Sequence, residues 1–154
     1  MPAMWGIHND KPRFDFVAGR FVALGWRAMP DLREIGDDRE AMKFAVAATY
    51  PDAKPGTIAA WAGMLHRFAF VVDRGDLVVH PVKADSTVAI GRVSGEYAFE
   101  SGAPDDRHRR PVEWLRTGVP RTSLSREARY EIGSSLTLFR VRRHEGELVA
   151  LIDG

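Results

Sequence analysis

Helical periodicity is confined to one stretch of this chain, and that confinement decides the class of fold open to it. Asp38 reads as an N-cap, and Met42, Val46 and Tyr50 follow at helical spacing until Pro51 stops the run. A second helix begins at Gly56 or Thr57, carries Ile58, Trp61, Ala62, Leu65, Phe68 and Ala69 on one face, and ends at Gly75. Outside that stretch the apolar residues come in short runs or alternate, as strands do. These are residues 4–8, 21–26, 77–82, 87–99, 109–115 and 135–142. Pro111 argues that the fifth of them is an edge or carries a bulge. Asp31-Leu32 opens a brief helical turn, and residues 124–132 form a short helix. Residues 144–154 read as a short terminal strand or tail. The class is therefore α+β, with about six strands in a curved or barrel-like sheet flanked by helices.

The 154 residues suit one domain. A chain of that size buries roughly 68–70% of its unfolded surface, so it requires neither a metal nor a disulfide to fold. There is no cysteine, which excludes disulfides, thiolate catalysis and Cys-ligated metal sites. No run approaches the ~20 apolar residues of a membrane span, and no signal-peptide core is present. The expectation is a cytoplasmic protein with no membrane partner.

Catalytic motifs fail on inspection. His8, His66, His80, His108 and His144 are scattered, with no pair at metal-ligand spacing on one helix. There is no phosphate loop followed by Lys-Ser/Thr, and no Gly-x-Ser-x-Gly elbow. Asp76 opens a strand that ends in Lys83, but Pro81 stands where a nuclease would need its second acid. No metal, cofactor or catalytic set is expected of this chain.

What remains is charge and aromatic surface. The totals nearly cancel, 22 basic against 21 acidic residues, yet residues 105–143 hold ten arginines, five acids and no lysine. Arginine is the bidentate phosphate binder, so this segment suits nucleic-acid contact; the alternative is that it simply solvates strands. Aromatic faces, meanwhile, stack on or cage a nucleobase. Trp26 ends a strand at a turn from which its ring can project, and Tyr97 follows Gly95 near another strand end. Trp61 shares a helix face with Leu65, where core packing competes with a cage role. Trp5 and Trp114 read as sheet and core packing.

The runs Phe21-Val22-Ala23-Leu24-Gly25-Trp26, Asp31-Leu32 and Ala60-Trp61-Ala62-Gly63-Met64-Leu65-His66-Arg67-Phe68 come in that order. They continue through Gly75-Asp76-Leu77-Val78-Val79, Ile90-Gly91-Arg92-Val93-Ser94-Gly95-Glu96-Tyr97 and Arg109-Arg110-Pro111-Val112-Glu113-Trp114 to Gly133-Ser134-Ser135-Leu136-Thr137-Leu138-Phe139. From about Met4 to Arg142 this resembles the N-terminal module of Mrr-type restriction endonucleases, in the PUA-like group with EVE and YTH domains.

The resemblance implies one PUA-like domain over residues 1–143, with an aromatic pocket that takes up a modified base flipped from DNA. Trp26 and Tyr97 match the cage positions, with Trp61 beside them. Asn9 and Asp10 fall where relatives place polar groups on the base edge. Asp31 matches a recurrent acid that equally reads as an N-cap. Arg107, Arg109 and Arg110, helped by Arg27, would hold phosphates. The modified base would be a methylated cytosine or adenine, and the chain a non-catalytic reader, the specificity module of a modification-dependent restriction endonuclease. The nuclease domain of such enzymes follows the module, so cleavage is not expected of this chain. An RNA reader of the same fold is the alternative; a metabolite-binding domain and a free-standing enzyme rank behind it.

Overall fold

The computed structural model describes residues 2–8 and 15–153. The chain opens with β1 (Met4–Ile7), α1 (Phe16–Gly19) and β2 (Phe21–Leu24). Three helices follow, α2 (Leu32–Ile35), α3 (Arg39–Thr49) and α4 (Pro55–His66), the last running into a π-helical turn over Arg67–Val71. Then come β3 (Leu77–Val82), β4 (Thr87–Val93), β5 (Ala98–Phe99), β6 (His108–Pro120), α5 (Arg126–Ile132), β7 (Leu138–Val141) and α6 (Glu145–Ala150). The α+β class predicted from periodicity is the observed one. Six strands lie in the order β2-β6-β4-β3-β1-β7, and β5 adds a two-residue pairing to β6. The sheet is mixed, since β1 and β3 are parallel and the other pairs antiparallel.

Bulges curl this sheet into a half-barrel. Between Val88 and Ile90 of β4 the partner strand advances from Val119 to Arg116, and between Ile90 and Gly91 it advances from Arg116 to Trp114. Each extra β6 residue bends that strand, and Gly118, at φ 66°, sits in the first bulge in a conformation glycine adopts without strain. Pro111 lies in the gap between the β6 residues paired with β5 and those paired with β4, where a missing N–H is harmless.

Alternation along the strands builds two cores. Val78, Val93, Val112 and Leu138 face an interior closed by Met42 and Val46 of α3 and by Ala62 and Leu65 of α4. Leu77, Val79, Val88 and Ile90 face the opposite way, under Ala128 and Ile132 of α5 and Leu148 of α6. Asp76 ties β1 to β3 by accepting from Ala3 N–H, Trp5 Nε1–H and Asp73 N–H at 2.9–3.0 Å.

Caps behave as the sequence predicts in α2 and α3, where Asp31 accepts from Arg33 N–H and Asp38 from the amides of Glu40 and Ala41. The helix expected to run to Gly75 ends at His66 and continues only as the π-helical turn to Val71, and three other expectations change. Where a terminal strand or tail is expected after residue 144, the chain forms α6, which buries Leu148 completely. The run 87–99 divides into β4 and β5, and the strand expected over 109–115 extends to thirteen residues. Strand order, being non-local, is not written in periodicity.

Candidate functional site

Most of the side chains singled out in the sequence meet at one end of β6. Tyr97 is 5% exposed and belongs to a hydrogen-bonded relay. Leu32 N–H donates to Tyr97 Oη (3.2 Å), Tyr97 O–H donates to His108 Nδ1 (2.7 Å), and His108 Nε2–H donates to the Trp26 carbonyl (3.2 Å). That order of donors requires a neutral imidazole. Burial, against the hydrogen bond to Trp26, holds the His108 pKa below its ordinary value, and burial pushes the Tyr97 hydroxyl up. Tyr97 thus offers no open ring face for a cage; the buried ring and its committed hydroxyl correct that expectation.

Trp26 is half-buried, at φ 54°, a backbone conformation that bulky residues rarely take. The His108 bond to its carbonyl holds it there. Its indole meets Trp61 edge-on at 6.0 Å, and Trp61 meets Tyr50 edge-on at 5.4 Å. These rings pack on one another rather than standing apart as two walls of a slot. Asp31 caps α2 and is held by Arg33 through a bond of 2.7 Å, which keeps its carboxyl below the usual range. It serves as the cap, not as a free base-edge acceptor. Asn9 and Asp10 lie outside the described residues.

The four arginines divide. Arg27 is exposed. Arg107 and Arg109 are half-buried, each donating through Nε to a carbonyl of the loop before β6, and Arg109 also lies 4.4 Å over the Phe21 ring. Arg110 is 3% exposed, and its guanidinium donates to the carbonyls of Phe68, Val72 and Gly95. It pins the π-helical turn to β6 and cannot reach a phosphate, which corrects its assignment to backbone contact.

At the other end of β6, roughly 30 Å of strand away at about 3.3 Å per residue, the interior face of the half-barrel is open. A cavity of about 460 Å³ lies there between α1 and the β3–β4 hairpin. The alternation that sends Val78 into the core places His80 next along the same face of β3, opposite Ala89. Ala89 is small, and Gly91 follows it along β4. Phe16, the first residue of α1, meets the His80 ring at 4.9 Å in a tilted contact, and Trp114 flanks the imidazole at 6.3 Å while donating to the Phe16 carbonyl. Lys83, Asp85 and Asp15 stand among the lining residues.

His80 itself is 7% exposed and its Nδ1 lies 3.0 Å from the Ile7 carbonyl. A carbonyl only accepts, so Nδ1 carries the proton and the lone pair of a neutral ring remains on Nε2. Burial keeps its pKa below the ordinary value. In sequence His80 is one of five scattered histidines. The available signal is a polar residue within the apolar run Leu77-Val78-Val79-His80-Pro81-Val82.

A family model described as Domain of unknown function (DUF8426) matches residues 5–141. No curated protein and no solved structure matches the chain. Among the described residues, no helix is long and apolar enough to cross a membrane, and no three potential metal ligands converge.

Proposed function

The chain belongs to the DUF8426 family, and for it we propose a nucleic-acid reader that draws an extruded, modified base into the open end of its half-barrel. The observation that carries this is the cavity between α1 and the β3–β4 hairpin. Its volume of about 460 Å³ falls within the ~300–1,000 Å³ of small-molecule sites, and its wall carries Phe16 and His80 with charged groups nearby. An apolar wall desolvates a base and its added methyl, and the few polar groups fix its orientation. The pocket is therefore moved, in this reading, from the Trp26–Tyr97 cluster to the opposite end of β6.

Of the charged groups on the cavity wall, Lys83 is basic and Asp15 and Asp85 are acidic. Arg116 is paired with Ile90, whose side chain faces the second core, and Arg121 lines a separate hollow with Arg129 and Glu131. A phosphate held by Lys83 would help dock the strand without reading sequence. Extrusion costs a few kcal/mol, least where the base is already unpaired. The chain would read a methylated cytosine or adenine in duplex DNA and lend specificity to a nuclease of a restriction system, whether linked to it or separate, with no chemistry of its own. A PUA-like description of the half-barrel belongs to the same proposal.

Fluorescence anisotropy with labelled duplexes tests it. Duplexes carrying one 5-methylcytosine or one N6-methyladenine, the unmodified duplex, and RNA strands with the same bases would be compared at several salt concentrations. The expected result is a preference of about tenfold for one modified duplex, since one methyl in an apolar pocket is worth ~1–3 kcal/mol. Equal affinity for modified and plain duplexes overturns the reading, and a preference confined to RNA transfers it to the alternative.

A further inference from the structure

The cavity wall carries one polar atom whose hydrogen-bonding role is fixed by the fold. His80 Nδ1–H is committed to the Ile7 carbonyl, and Nε2 forms no hydrogen bond among the described residues. Turning the ring over would take Nδ1–H away from the Ile7 carbonyl, so the bond fixes which nitrogen keeps the lone pair. Resting on the reading above, we infer that His80 Nε2 accepts a hydrogen bond from an amino N–H on the edge of the bound base. The ligand class narrows accordingly, to a nucleobase that keeps at least one hydrogen on its exocyclic nitrogen.

The chemistry excludes as well as selects. A thymine- or uracil-type edge that presents a carbonyl to Nε2 sets acceptor against acceptor, and an unpaired acceptor in a desolvated site is costly. Cytosine, 5-methylcytosine, N4-methylcytosine, adenine and N6-methyladenine all retain an amino hydrogen. Bases dimethylated on that nitrogen do not. Burial of the imidazole keeps it neutral at pH 7, so the lone pair is available rather than protonated. The adjoining Ala89 leaves the approach to the ring open.

The probes are four oligonucleotide duplexes, with a single N6-methyladenine, N6,N6-dimethyladenine, N4-methylcytosine or N4,N4-dimethylcytosine. Wild-type protein should bind the better monomethylated duplex about tenfold more tightly than its dimethylated counterpart, and His80→Phe should bind the two alike. In ¹⁵N NMR the His80 Nε2 resonance should shift upfield on binding, which a purely structural histidine would not do. Equal wild-type affinity for the paired duplexes overturns the inference, as does discrimination that survives in His80→Phe, because that would be steric. The wild-type comparison and the NMR shift stand even where the variant fails to fold. Ala89→Trp, which fills the cavity, separates the two levels of the argument. Loss of binding in Ala89→Trp with insensitivity to dimethylation removes only the role of His80, whereas undiminished binding in Ala89→Trp, or no binding of any duplex by wild type, removes the base-reading site and the inference with it.

Discussion

His108 and His80 are buried on opposite ends of the half-barrel, and the bonds of His108 form a pattern that only a neutral ring satisfies. A proton added to His108 Nδ1 would face the hydroxyl hydrogen of Tyr97, leaving that hydroxyl with nothing to donate to. Both groups have pKa values lowered by burial, so the unfolded chain binds protons that the folded chain refuses. Their contribution to stability is complete above the unfolded value near 6.5 and is lost as pH falls through the folded values. Urea midpoints should therefore decline from about pH 6.5 down to about pH 5, above the range where carboxylates titrate. His108→Gln should flatten part of that slope; a flat wild-type profile in this window contradicts the relay. Arg110 makes the complementary point about residue type. An arginine in a cationic run reads as surface from sequence, yet this one is enclosed by three carbonyls of segments 15 to 42 residues away.

At the scale of elements, α6 is the informative case. Residues 144–154 carry no apolar periodicity long enough to suggest a helix and read as a short terminal strand or tail. What makes it a helix is tertiary: Glu131 of α5 accepts from the amides of Arg142, Arg143 and His144, and Glu147 accepts from Ser125. Leu148, 0% exposed, anchors it in the second core. Leu148→Ala should cost about 2–5 kcal/mol in chemical denaturation, as deletion of a buried leucine does. A cost near zero would make α6 an appendage. The elements with strong local signals were legible: Asp38 with its helix, Pro51 as the stop, the short apolar run of β3 and the alternation around β7. Those that depend on partners were not, among them the length of β6, which follows from pairing with β2, β4 and β5 in turn.

For the whole molecule, the sequence located the aromatic and basic residues but not the space between them. Trp26, Trp61, Tyr97 and Asp31 do converge, as their shared assignment to one pocket supposed. They converge as packed rings beside a hydrogen-bonded relay, with the Tyr97 hydroxyl and the Asp31 carboxylate committed to protein partners. The cavity arises elsewhere, where the interior face of β3 and β4 runs past the last core residue and small side chains stand opposite His80. Such a gap is a property of strand register and bulge position, which no local pattern encodes. The central claim is that this open end, rather than the Trp26 end, receives the base. Amide chemical-shift mapping during titration with a duplex carrying one methylated base tests it most directly. The account predicts the largest shifts at His80, Thr87 and Ala89, with Trp26 and Trp61 little changed. Shifts centred on Trp26 and Trp61, with the β3–β4 hairpin silent, would contradict it.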